Sequence, residues 1–329
     1  MSALRLAVSL VWLAASLSPS HADQEWTYEG NNGPENWSRL GYKDCDHHRQ
    51  SPIAISSREV VLRHLDPLRL DYFDHAPLRM NLTNTHLGAT ASMKARPELV
   101  VRGGALPGEY QVVGFHFHWG ENDTVGSEHI LDGRSYPLEM HIVCKNAKYS
   151  DMKKATQRPD GLAVLAVWFE VGAGPASGLV RLASALRRIR GGGSSTLVQN
   201  PPSLLELMPA STEHFYRYEG SLTTPGCYEV VTWTLFKDTA KITEKQLQLF
   251  RSLKGYLKPI GHNYRFVQLR YGRTVYERRA LDEGDAAEVG LVAAQGPPGA
   301  VSAAGALRPG LAVFWRALAA ASRAARLPR

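Results

Sequence analysis

The stretch Phe115-His116-Phe117-His118-Trp119-Gly120 interleaves two imidazoles with three larger aromatic side chains. Along a β-strand successive side chains point to opposite faces, so His116 and His118 share one face while Phe115, Phe117 and Trp119 share the other. The pattern predicts a strand with an apolar side turned to a core and a second side presenting two metal-ligand nitrogens. Farther along, Glu139-Met140-His141 offers a third imidazole, after enough chain to turn and return as a neighbouring strand. Three histidines leave one position of a tetrahedral zinc ion open to water, the arrangement of a hydrolytic or hydrating centre rather than a structural one. Glu139 has the strand parity of His141 and is the candidate carboxylate for its outer ring nitrogen.

With these ligands in place, the chain resembles the α-class carbonic anhydrases, most of all their secreted or extracellular members. The resemblance is carried by FHFHWG, by Gly126-Ser127-Glu128-His129, by Leu138 to Val143, by Ser221-Leu222-Thr223-Thr224-Pro225 and by Val231-Thr232-Trp233. Trp26, Tyr28, Asn32 to Glu35, Trp37, Arg49 to Ile53, Pro159 to Val164 and Asn263-Tyr264-Arg265 extend it, in order, over most of the chain. It implies a mainly β (α+β) single domain: a large, twisted, mostly antiparallel sheet with a few peripheral helices and zinc in a conical cleft.

The resemblance also implies roles. His116, His118 and His141 would hold Zn2+, which lowers the pKa of its water from about 15.7 to about 7 and so makes the hydroxide that attacks carbon dioxide. Thr223 would orient that hydroxide by donating its own proton to an ionised Glu128, and Asn263 would join Glu139 behind the ligands. Val143, Val164, Leu222, Val231 and Trp233 match the apolar pocket suited to a substrate without a net dipole. Thr224 would help place bicarbonate, and anionic and sulfonamide-type inhibitors are expected. His86 aligns with the proton-shuttle histidine, its imidazole able to take and release a proton near neutrality. Asn84 and Tyr28 match positions that order the intervening water. His75, His129 and His214 read as structural or incidental.

Three departures stand out. Gly114 replaces a glutamine whose amide orients the first zinc histidine, a loss that commonly costs 10 to 100-fold in metal affinity or activity. Ala89 replaces a cleft asparagine, and Gly226 replaces a second proline, loosening the loop that carries Cys227. Some relatives keep the scaffold as binding modules after losing a ligand histidine; here His116, His118, His141, Thr223 and Glu128 are all retained, which favours an enzyme.

Residues 1–22 place Arg5 ahead of an apolar run, Leu6 to Leu17, followed by Ser18-Pro19-Ser20-His21-Ala22. This reads as a secretory signal peptide cleaved after Ala22, too short to span a bilayer well. An oxidising compartment makes the three cysteines interpretable. Separation along the chain leaves every pairing open; the resemblance implies Cys45 with Cys227 and leaves Cys144 a free thiol. The sequons at Asn36, Asn81 and Asn122 are glycosylation candidates.

A length of 329 residues with 44% hydrophobic and 21% charged composition fits a globular chain. Strand-like runs at Gln111 to His118, Met140 to Cys144, Ala163 to Val171 and Glu229 to Phe236 alternate with turn residues, while helical spacing is confined to Gly178 to Ile189 and Thr243 to Lys254. No linker or repeat interrupts residues 23–284, which predicts one catalytic domain. Beyond it, 285–329 turns to Ala, Gly, Pro and Arg. That segment reads either as a disordered tail or as a helix placing Phe314, Trp315 and Leu318 on one face and Arg316, Arg323 and Arg326 on another, suited to weak membrane-surface or matrix association. Those arginines argue against a lipid-anchor signal. The net charge of +7 owes much to arginines here and at 181–190, and no nucleic-acid module is present.

Overall fold

The computed structural model describes residues 25–279, apart from 174–176 and 257. The signal peptide expected over 1–22 and the tail expected over 285–329 lie outside these residues. In chain order the strands are β1 Ala54–Ile55, β2 Val61–His64, β3 Leu68–Asp71, β4 Arg79–Asn84, β5 Ala89–Lys94, β6 Val100–Gly103, β7 Tyr110–Trp119 and β8 Ile130–Leu131. There follow β9 Leu138–Asn146, β10 Leu162–Val171, β11 Ser195–Leu197, β12 Phe215–Gly220, β13 Val231–Phe236, β14 Ala240–Ile242 and β15 Tyr276–Arg279. The helices are α1 Met152–Ala155, α2 Ser177–Arg188 and α3 Glu244–Arg251. Thirteen strands form one sheet whose main path runs β11-β4-β5-β7-β9-β10-β13-β12-β15-β2, while β1 and β8 form a parallel pair. Most pairings in the large sheet are antiparallel; β10 with β13, β10 with β14 and β15 with β2 are parallel.

Alternation sorts the central strands onto two faces. Phe115, Phe117 and Trp119 of β7, Met140 and Ile142 of β9, and Leu165 and Val167 of β10 share a buried cluster with Leu182, Leu186, Leu247 and Phe250 of α2 and α3. The two helices therefore cover one face of the sheet, as helical amphipathicity demands. Thr243 caps α3 with a reciprocal pair of bonds to Gln246, which satisfies donors that a bare helix start would leave open. Val164, Trp168, Tyr216, Tyr218, Val231 and Trp233 fill a second cluster on the opposite side. The metal-ligand face of β7 and β9 lies on that opposite side.

The fold agrees with the expected architecture, and the strand-like runs and both helical segments lie within or overlap the observed elements. Cys45 and Cys227 form a disulfide with Cα atoms 4.9 Å apart. Around it Tyr28, Trp37 and the partly buried Trp26, Leu40 and Leu87 make a third apolar cluster at the cleft rim. Cys144 is a free, buried thiol on the α2/α3 face, and burial pushes its pKa up.

Candidate metal centre

The register of β7 against β9 sets His116 directly opposite His141 and His118 opposite Glu139. Opposed residues of an antiparallel pair project to the same face, so three imidazoles converge from two strands. Their ring centroids lie 4.5 to 5.2 Å apart. One ligand nitrogen from each falls within 4.8 Å of the others.

Outer partners fix two of the tautomers. His118 donates from Nδ1 to the Asn263 carbonyl at 2.8 Å, and His141 donates from Nε2 to Glu139 Oε1 at 2.6 Å. The nitrogens left facing each other, His118 Nε2 and His141 Nδ1, are then both bare lone pairs only 3.1 Å apart. Two lone pairs at that distance call for a cation between them, and two nitrogens bound at about 2.0–2.1 Å to a tetrahedral zinc would stand about 3.3 Å apart. Burial, reinforced by the neighbouring imidazoles, lowers the pKa of His116 to about 3 and that of His118 well below the ordinary range. Burial also lowers His141, against the pull of Glu139. Neutral imidazoles are the form that ligates metal. The residues present fit zinc.

Behind the ligands, Glu139 Oε1 also accepts from His129 Nδ1 at 2.7 Å, and Oε2 accepts from the His129 backbone N–H at 2.9 Å. Burial would raise this carboxyl, but His129 and His141 together hold it well below the carboxylate range. His129 Nε2 meets the Tyr218 hydroxyl at 2.7 Å, which in turn lies 2.8 Å from Ser51 Oγ. His129, Glu139 and His141 could also be drawn as a metal cluster, but Glu139 already serves both rings as a hydrogen-bond acceptor. The grouping is a brace for His141. His129, read from the sequence as structural or incidental, is structural; its partner Glu139 lies ten residues on, in β9, which no local spacing reveals. Asn263 braces the neighbouring strand as well, accepting from Trp119 N–H at 2.8 Å and donating to the Phe117 carbonyl at 2.9 Å.

Glu128 is buried, and its Oε1 accepts from the Arg265 backbone N–H at 2.8 Å. Its Oε2 lacks a hydrogen-bond partner at normal geometry and lies 3.5 Å from His118 Nε2. Burial pushes this carboxyl well up; the Thr223 hydroxyl and the Arg265 N–H pull against that push.

Above the imidazoles opens a cavity of about 600 Å³, with Val143, Leu222, Thr224 and Tyr28 on its walls. Val164 stands opposite Val143 on the same face and, with Val231 and Trp233, is almost wholly buried at the back of this wall, the Trp233 ring 4.8 Å from that of His141 and its N–H bound to the Ser221 carbonyl at 3.1 Å.

The turn between β4 and β5 corrects two further expectations. His86 sits at φ 70° and its ring stacks on Tyr256 at 4.1 Å, so close over Gly192 that a β-carbon there would meet Nδ1 at 2.3 Å. It does not border the cleft; Leu87 does. Asn84 is buried beneath the turn, accepting from the His86 N–H at 3.0 Å and donating to the Ile189 and Lys254 carbonyls at 3.0 and 2.9 Å. That is a brace for the turn and not a place for ordering cleft water. After the turn, Ala89 packs its side chain into the core opposite Phe117, and Thr90, one residue on, takes the cleft face opposite His116.

Gly114 lies beside a β-bulge, where the register shifts between Val112 and Gly114. A β-carbon on it would come 2.4 Å from the Ala91 carbonyl oxygen, so the strands have closed over the place of a side chain. Gly226 has φ 99°, a conformation closed to proline, whose ring holds φ near −65°. The glycine therefore shapes the turn before Cys227 instead of merely loosening it. Among the sequons, Asn122 is exposed and its Oδ1 accepts from Thr124 N and Oγ1 at 2.9 and 2.7 Å. Asn81 bonds Ser195 at 3.1 Å and Asn36 accepts from Arg39 at 3.0 Å.

A large mixed sheet carrying three histidines with one open side defines a mononuclear zinc enzyme. Comparison with known proteins agrees: the model of the eukaryotic-type carbonic anhydrase family matches residues 32–279. Human carbonic anhydrase 7 is 42% identical over 233 residues, 69% of this chain and 85% of its own length. Carbonic anhydrase 1 of Monodelphis domestica is 38% identical over 265 residues, 77% and 98% of the two chains. A putative carbonic anhydrase 5 of Caenorhabditis elegans is 36% identical over 280 residues, 84% and 88%. The chain belongs to the carbonic anhydrase family. It is a zinc enzyme of carbon dioxide hydration, with carbon dioxide and bicarbonate as substrates and sulfonamides as its class of inhibitor.

Proposed function

We propose that this carbonic anhydrase works outside the cell or in the secretory pathway, and that its site residues divide the reaction as follows. His116, His118 and His141 hold zinc, which when bound supplies a Lewis acid that brings the pKa of coordinated water near 7 and a charge that keeps Glu128 ionised against burial. Thr223 gives its hydroxyl proton to Glu128 and is left able only to accept, so it fixes the direction of the nucleophile's own proton. Val143 and Leu222 offer carbon dioxide an apolar wall, backed by Val164, Val231 and Trp233. Thr224 donates to the anionic product.

Proton export takes a different course from the one the sequence suggests. Leu87 stands on the cleft wall where an imidazole was expected, and no histidine besides His116 and His118 borders the cleft among the described residues. The proton therefore passes through cleft water to buffer, with Tyr28 on the way.

The observation that carries the catalytic reading is the pair of fixed lone pairs, His118 Nε2 and His141 Nδ1, 3.1 Å apart beside Glu128. The location rests on the Cys45–Cys227 disulfide, since oxidised pairs persist in oxidising compartments, and on the leader-like residues 1–22. Surface association through 285–329 extends this reading and is tested by comparing binding with and without that segment. Stopped-flow hydration by the purified chain, with zinc content measured on the same sample, tests the chemistry. Stoichiometric zinc with no hydration would overturn it. Expression in secreting cells, followed by glycosidase treatment of the medium, tests the location; protein retained in the cytosol with reduced cysteines would refute it.

A further inference from the structure

His116 is held differently from its fellow ligands. The outer nitrogens of His118 and His141 bind the Asn263 carbonyl and the Glu139 carboxylate, whereas the His116 ring makes no hydrogen bond to any described residue and borders the open cleft. Two positions back on its face is Gly114, where β5 leaves no room for a side chain. An orienting group for this ring must come from another strand.

The register supplies one. Thr90 lies directly opposite His116 and Ser92 opposite Gly114; opposed residues of an antiparallel pair place their β-carbons about 4.5–5.5 Å apart on one face. All of residues 89–92 border the cleft with His116, but Ala89 and Ala91 are buried in the core, so by strand alternation the side chains of Thr90 and Ser92 take the cleft face. We propose that Thr90 is the positioning residue of His116: its hydroxyl, through a water of the cleft, accepts the ring N–H that faces away from the metal. This rests on the zinc reading above. A hydroxyl and a water hold a ring less firmly than a buried carboxylate or carbonyl, so His116 is the first ligand to release and zinc exchanges from the cleft side.

The test is the rate at which zinc passes from the loaded full chain to excess chelator, for the wild type, Thr90→Val, Thr90→Ala and Thr90→Ser. Zinc content is counted at the start, and the Tm of each zinc-free form is measured. Loss of a partner behind a ligand typically costs 10 to 100-fold, so Thr90→Val and Thr90→Ala should each release zinc about 10-fold faster, and Thr90→Ser within about twofold of the wild type. The zinc-free forms should melt together. Release from Thr90→Val at the wild-type rate would overturn the proposal, as would a Thr90→Ser rate equal to that of Thr90→Val. Faster release accompanied by a lower zinc-free Tm would make the role one of packing and overturn it too. A wild type that holds no zinc at the start would remove the zinc reading itself, an outcome distinct from all of these.

Discussion

The floor of the cleft and its rim are built by opposite means. On the floor, β7 and β9 pair over nine positions and β9 and β10 over eight, and most of the side chains are pinned by burial on one face or by hydrogen bonds on the other. At the rim, the β4–β5 connection turns through a non-glycine residue at φ 70°. Its conformation rests on the buried amide of Asn84, on Thr85, whose N–H and hydroxyl both donate to the Gly88 carbonyl, and on the stack of His86 upon Tyr256. A paired strand sets every side chain's direction at once, whereas a turn sets each one separately.

The floor should fail as a unit when any part of it is removed. His118→Ala is expected to have the largest effect, with zinc lost and hydration reduced to background, measured by metal content and stopped flow. A variant that kept both would show that the outer braces, and not the ligand count, hold the ion. Glu139→Ala comes next. It strips the acceptor from two buried rings and a backbone N–H at once, and each buried donor left unsatisfied costs about 1–3 kcal/mol. Denaturant unfolding should register that loss, and zinc affinity should fall 10 to 100-fold. Normal stability in this variant would mean that His129 and His141 find another acceptor.

This contrast explains what could be read from the residues alone. His116, His118, Glu139 and His141 were legible because strict alternation over a long strand leaves one choice of face, and the aromatic residues between them anchor that choice. Glu128 and Thr223 were legible only through the surrounding family blocks, since nothing in their spacing brings them together. Around the β4–β5 turn the reading slipped by one residue, taking His86 for Leu87 and Ala89 for Thr90. A slip of one flips every side chain to the other face, and no periodic pattern crosses the turn to prevent it. Gly114 was recognised as a missing side chain, but the closure of β5 over it is a matter of strand packing that leaves no mark in the sequence.

The rim predictions sharpen the comparison because they ask which side chain faces the reacting centre. Leu87→His should install an imidazole on the cleft wall. General acid–base groups contribute typically 10²–10⁴-fold where well placed, and an unrefined one should raise kcat on the order of 10-fold in weakly buffered solution. Concentrated imidazole buffer should raise the wild type comparably and the variant much less. No gain in either case would mean that proton export does not limit turnover.

His86→Gly should have the smallest effect. Removing the ring forfeits a stack on Tyr256 worth about 0.5–1.5 kcal/mol, yet glycine at φ 70° escapes a strain of about 1–2 kcal/mol that a side chain bears there. The two nearly cancel, so unfolding free energy should move by less than about 1 kcal/mol. Because the ring faces Gly192 and Tyr256 and not the cleft, turnover should stay within about twofold at every buffer concentration. A tenfold fall in kcat, reversed by added imidazole, would mean that His86 leaves its stack during turnover and that the rim moves while the floor stays fixed.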